Sequence, residues 1–188
     1  CGVIIDDIII EGKHSHGAEA GHLIVQMQGG RQCACGRFGC LEAYASATAL
    51  TRRARDAMND HPESEIHNAL NAGEKLTPLL LSKMASSGDP FSREIIMTTA
   101  RYLGVGIVNM MHVIDPDLIV LGGAMTFGCD DQPLGRSFRA TVEQEITQRA
   151  FPVPATETPV CFGELGSKAG FIGAAGCARL AHRHSVET

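Results

Sequence analysis

A chain of 188 residues with 44% hydrophobic and 20% charged side chains has the length and make-up of one folded domain with a sizeable core, not of a disordered or fibrous protein. Its formal charge of -5, without a long basic stripe, argues against a nucleic-acid role for this segment. No apolar run approaches the roughly 20 residues that a membrane span needs.

The chain opens on Cys1-Gly2-Val3-Ile4-Ile5, strand-like residues with neither an initiator Met nor a basic-headed apolar leader, so Cys1 is expected to be an internal cut point. Residues 2–5 and 8–11 are rich in β-branched side chains and flank Asp6-Asp7, which predicts a hairpin with the two aspartates as its turn. Residues 22–27 are a further candidate strand. Residues 33–40 hold cysteines and glycines without apolar periodicity and read as a knot. A helix is expected from Leu41, with Leu41, Tyr44, Ala45 and Thr48 on one face and Arg52, Arg53 and Arg55 on the wet side further on. Residues 59–73 are polar, are broken by Pro62 and Gly73 and read as loop. The stretch 59–75 is the best candidate for a mobile insertion.

Residues 76–86 predict a short helix. Asp89-Pro90 then supplies an N-cap and a first-turn proline for a long helix, whose stripe runs through Ile95, Ile96, Thr99, Tyr102, Leu103, Gly106, Ile107 and Met110. That helix should stop near His112, ahead of Asp115-Pro116. Residues 117–121 form an apolar strand ending in Gly122-Gly123. Residues 133–149 are helical, with Pro152 and Pro154 as breakers. Residues 159–162 make a strand, and 169–182 an Ala/Gly-rich helix leading into a tail to 188. Opening strands followed by helix–strand alternation give an α/β fold.

Cys1, Cys33, Cys35, Cys40, Cys129, Cys161 and Cys177 are an odd, unevenly spaced set and a poor disulfide framework, which fits a reducing cytoplasm. The three that crowd into residues 33–40 ask for a metal. Gly36 and Gly39 let the chain bend tightly enough for their sulfurs to converge. The spacing leaves a fourth ligand open among His14, His16 and His22, and leaves three buried structural thiols as the alternative.

Gly17-Ala18-Glu19-Ala20-Gly21-His22, followed by Cys33-Ala34-Cys35-Gly36-Arg37-Phe38-Gly39-Cys40-Leu41-Glu42, resembles the paired signature of the ROK family (repressors, uncharacterised reading frames and kinases), E-x-G-H and then C-x-C-G-x-x-G-C-x-E. A looser likeness extends through Asp115-Pro116-Asp117, Gly122-Gly123 and residues 169–175. The resemblance implies that residues 1–188 are the single C-terminal lobe of a two-lobe kinase. The fold would be α/β, an actin-like (ribonuclease H-like) lobe with an inserted zinc knot, the N-terminal lobe lying outside this chain. The zinc and sugar motif would span 22–42, and the C-terminal helix and tail 169–188.

The same resemblance implies a structural zinc on His22, Cys33, Cys35 and Cys40, and sugar contacts from Glu19, His22 and Glu42, with the second ring nitrogen of His22 on a hydroxyl. On residue type alone, Glu42 is also a first-turn acid favoured by a helix dipole. Gly122 and Gly123 would lie against the adenosine of ATP, and Gly2 would close a phosphate loop, although Gly-Gly after a strand is also a plain tight turn. The implied activity of the intact protein is glucokinase-like phosphorylation of a hexose by ATP with Mg²⁺. A homodimer is the implied assembly. The alternatives are a sugar-sensing repressor and a zinc-stabilised interaction module without catalysis.

The family's D-x-G-x-T motif and its catalytic Asp are missing here. The general base is therefore expected upstream of Cys1, and the chain alone is expected to be inactive. Asp6 and Asp7 sit in a turn and are not promoted to that role.

Overall fold

The computed structural model describes residues 1–187. The chain begins with a hairpin of β1 (Ile4–Ile5) and β2 (Ile8–Ile9), in which Ile4 faces Ile9 and Ile5 faces Ile8. Asp6 and Asp7 both have positive φ, 50° and 61°, the conformation a two-residue turn adopts to match the twist of its strands. The predicted hairpin is present with shorter strands, and its four isoleucines are exposed.

The centre of the molecule is the long helix predicted from Asp89-Pro90. To reach it, the chain forms α1 (Glu42–Ala45), α2 (Ala47–Ala57), α3 (Ile66–Asn71) and α4 (Pro78–Ser86), and then enters α5 (Pro90–Ile114). The Asp89 carboxylate accepts from the Ser92 N–H, and Pro90 occupies the first turn, where no N–H is needed. At the far end the helix runs to Ile114, two residues beyond the expected stop at His112, and Asp115 turns left-handed at φ 51°. Helices α1, α2 and α4 pack on α5, as does α6 (Pro133–Arg149), so α5 buries most of its circumference rather than one stripe. Gly104 makes the α5–α6 approach possible: a Cβ there would lie 2.6 Å from the Cβ of Glu145. Leu50, Ile66, Leu81, Ile96, Met111, Phe138 and Val142 are fully buried in the core.

Strand β3 (Ile119–Leu121) pairs in parallel with β4 (Val160–Phe162), Ile119 opposite Val160. Parallel neighbours need a long crossover. Here α6 and α7 (Pro152–Glu157) supply it, so Pro152 both breaks one helix and opens the next. Helix α8 (Ala169–Glu187) follows β4 and includes the expected 169–182 helix. Among the described residues no helix is long and apolar enough to cross a membrane.

Three expectations change. Residues 22–27 do not form a strand. Ala20–His22 is a 3-10 turn, and Ile24 makes a single bridge to Cys40, because the backbone bends there to bring the knot together. The polar run 59–73 is not all loop: it carries α3, anchored by fully buried Ile66, and Ser64 and Glu65 donate to the Asp89 carboxylate at 3.0 and 3.1 Å. Arg53 is not on the wet side. Arg52 and Arg55 are exposed, but Arg53 is 8% exposed, because the break between α1 and α2 at Ser46 turns it inward.

Candidate metal centre

The knot is built by backbone bonds between distant turns. Leu41 N–H donates to the Leu23 carbonyl, Gly39 N–H to Arg31, and Val25 N–H to Gly39. Gly39, at φ 81°, lies so close to the Gln26 carbonyl that no side chain fits there. Gly36, at φ 85°, makes the bend between Cys35 and Arg37.

The result is a cluster of His22, Cys33, Cys35 and Cys40 whose ligand atoms all lie within 4.8 Å of one another. The sulfurs of Cys35 and Cys40 are 3.8 Å apart, and Nδ1 of His22 is 3.8 Å from the Cys33 sulfur. A tetrahedron with metal–sulfur bonds of about 2.3 Å has edges of about 3.8 Å. Donor set and spacing therefore fit a tetrahedral, thiophilic divalent ion. The spacing had left the fourth ligand open, and of the three candidate histidines it is His22 that joins this cluster. Cys33 and Cys40 are buried, while Cys35 is exposed. Burial, with the neighbouring sulfurs, pushes the Cys40 thiol up to about 11. The Arg37 backbone N–H, foremost, pulls Cys35 down. Closely packed sulfurs of this kind are an unfavourable place for negative charge until a cation shares them.

The other face of His22 looks away from the sulfurs. Its Nε2 is 3.9 Å from a Glu19 carboxylate oxygen, three residues back across the 3-10 turn. Glu42 leads out of the knot at the first turn of α1, and its Oε2 lies 3.5 Å from where a Gly21 Cβ would be. Gly21 thus lies alongside the Glu42 side chain, where a Cβ would stand in ordinary van der Waals contact with it. So Glu19, His22 and Glu42 share one corner of the molecule, joined by the Gly21 backbone. The sequence held Gly21 within the motif but gave it no role. Its place between Glu19 and His22 sets it beside the Glu42 side chain.

Glu42 and Gly21 line a groove of about 660 Å³ that runs past Gly2 and Ile4 to Met110 and Leu118. Gly2 lies on that groove with open space around its α-carbon. Gly122 and Gly123 follow β3 outside the cluster. Both have open space where a Cβ would stand, and Gly123 has φ 86°. All three glycines are accessible to an approaching group; Gly2 shares the groove with Glu42, whereas Gly122 and Gly123 are not part of its lining.

Comparison with known proteins gives one answer. The model of the ROK family matches residues 1–181. A glucokinase from Halalkalibacterium halodurans is 30% identical over 172 residues, 92% of this chain and 50% of that protein. A xylose repressor from Caldicellulosiruptor bescii is 26% identical over 92% of this chain and 41% of its own length. Among solved structures, a ROK family glucokinase from Streptomyces griseus in complex with glucose and AMPPNP superposes with a TM-score of 0.79 at 29% identity, covering 95% of this chain and 56% of that one. The chain thus spans about half the length of the curated relatives it matches.

Proposed function

The chain belongs to the ROK family, and from that premise we propose that the intact protein is an ATP-dependent hexose kinase of glucokinase type, with this chain supplying the zinc site, the sugar contacts and the adenosine contacts. The observation that carries the reading is the two-sided ring of His22: Nδ1 turned to the Cys33 sulfur and Nε2 to the Glu19 carboxylate, with Glu42 set against Gly21 alongside. The glucokinase relative, and the structure described with glucose and AMPPNP, support it.

Zinc on His22, Cys33, Cys35 and Cys40 would neutralise the thiolates and lock the knot. Four protein ligands fill a tetrahedron, leaving no position for a reactive water, so the metal is structural. With Nδ1 committed to the metal side, the ring proton sits on Nε2, which donates to a hexose hydroxyl oxygen. The carboxylates of Glu19 and Glu42 accept from neighbouring hydroxyls, and charge-assisted bonds of this kind fix a ring more firmly than neutral ones. Gly122 and Gly123 admit the adenosine and Gly2 the phosphates of ATP, with Mg²⁺ bound to the nucleotide. Phosphoryl transfer depends mostly on positioning, together with a base for the attacking hydroxyl. No residue among 1–188 is assigned as that base, which we place upstream of Cys1. The actin-like lobe, a cytoplasmic location and a homodimer belong to the same reading.

The test is a coupled ADP-release assay with Mg-ATP and glucose, N-acetylglucosamine or N-acetylmannosamine, run on residues 1–188 and on the protein extended upstream to its natural start. Turnover by the extended protein alone is the expected result. Robust turnover by residues 1–188 would put the base within them, with Asp6 and Asp7 the first to mutate. The xylose repressor relative favours one second reading, a sugar sensor with the same pocket. In that case the extended protein binds hexose without releasing ADP and carries a sugar-responsive DNA-binding activity.

A further inference from the structure

Arg53 is a buried cation without an ion pair, although the Glu94 charge is near enough to favour its protonated form. Among the described residues no carboxylate lies within ion-pair distance of it, and its residue surface is 8% exposed. Desolvation accordingly lowers its pKa. Burying a guanidinium this way is expensive, and an apolar side chain of similar volume would fill the space at lower cost. What the charge obtains is specific. Its Nη1 donates to the Tyr44 carbonyl at 3.3 Å and to the Thr99 hydroxyl at 2.9 Å. Its Cζ stands 5.8 Å from the centre of the Tyr102 ring, which stacks on Tyr44 at 4.3 Å.

Tyr44 is the hub of this cluster. It lies in α1, the four-residue helix that presents Glu42 and is cut off at Ser46, where ψ swings to 165°. So short a helix leaves its carbonyls without helical partners, and Arg53 takes one of them from the next helix while gripping α5 through Thr99. The Tyr44 hydroxyl accepts from the Arg31 N–H at 2.7 Å, on the strand of the knot that leads to Cys33, and the Arg31 side chain pairs with Asp56 of α2 at 2.6 Å. On the other side of Glu42, Leu41 is seated against Gly106 of α5 so closely that a side chain at Gly106 would have to push Leu41 aside.

We propose that Arg53 is a positioning residue of the sugar site: through the Tyr44 carbonyl and Thr99 it fixes α1, and with it the Glu42 carboxylate, against α5, while the Tyr44 hydroxyl ties the same helix to the metal knot. The hexose part of this inference rests on the sugar-kinase reading above; the fixing of α1 does not. Arg53→Met keeps the volume and removes the donors. Arg53→Lys restores a donor, and Tyr44→Phe removes only the link to Arg31.

In the full-length protein, amide hydrogen exchange of residues 42–46, zinc content and hexose affinity are measured together. The expected result for Arg53→Met is faster exchange in 42–46 with α5 protection and zinc content unchanged, and hexose affinity weaker by roughly ten- to a hundredfold. ATP affinity should be unaffected, and Arg53→Lys should recover part of the loss. Unchanged exchange in 42–46 overturns the proposal. So does faster exchange with undiminished hexose affinity. If the wild-type protein takes no hexose while Arg53→Met still loosens 42–46, the positioning role stands and the sugar reading fails. Should Arg53→Met not fold, Arg53→Lys and Tyr44→Phe carry the same comparison, and wild-type exchange and hexose affinity in both overturn it.

Discussion

His22 Nδ1 lies 3.8 Å from the sulfur of Cys33, which turns the opposite nitrogen of the ring out of the metal cluster and towards Glu19. On the proposed reading one ring serves two sites, and the two can be separated. His22→Cys keeps a fourth ligand for a thiophilic metal but removes the outward donor. The variant should retain one zinc per chain by elemental analysis while losing hexose affinity by roughly tenfold or more, the worth of one charge-linked hydrogen bond. His22→Ala should lose both.

Gly106 is the seat of Leu41, and a methyl group added there collides with a Leu41 δ carbon. Gly106→Ala should therefore destabilise the protein by about 1–3 kcal/mol, the usual cost of overpacking, in spite of alanine's better helix propensity. Because Leu41 lies between Cys40 of the cluster and Glu42, the proposed sugar contact, hexose affinity should fall as well. Chemical denaturation and hexose titration of the variant check the two effects. An exposed helix glycine such as Gly173, with open space around it, should instead gain stability on becoming alanine.

Asp89 caps α5 and gathers α3 to it. Burial acts to raise its pKa, but hydrogen bonds from Ser92, Ser64 and Glu65 outweigh that and hold it below its ordinary value of 3.8. A depressed folded-state pKa contributes stability that is present above the unfolded value and lost as pH falls through the folded one. Asp89→Ala should cost about 1–2 kcal/mol at neutral pH, as loss of an N-cap does. The gap between variant and wild type should narrow as pH drops below about 4. Urea denaturation at pH 7 and pH 3 measures it, and a gap that does not change with pH would mean the ionised cap contributes nothing.

Much of this was readable from residue order where the cause is local. The β1–β2 hairpin follows from Asp6-Asp7, the start of α5 from Asp89-Pro90, and the convergence of Cys33, Cys35 and Cys40 from Gly36 and Gly39. What was not readable depends on contacts distant in sequence. Arg53 looked like its exposed neighbours Arg52 and Arg55, because a helical count cannot know that the break at Ser46 leaves the Tyr44 carbonyl in need of a donor. Helix α3 was missed because Ile66 is its one fully buried residue and its anchoring rests on Asp89, more than twenty residues away. Gly106 matters only for what stands opposite it, Leu41.

The central claim is that the metal knot builds the sugar site, and calorimetric titration of glucose and N-acetylhexosamines into the protein, zinc-loaded and after removal of zinc with a chelator, tests it most directly. On that claim His22 is a ligand and Glu42 stands two residues beyond Cys40, so loss of the metal should release both. The account predicts saturable one-site binding of one of these sugars to the zinc-loaded protein, its loss on chelation, and its return when zinc is restored. Equal hexose binding with and without the metal, or a zinc-loaded protein that takes none of these sugars, would contradict it.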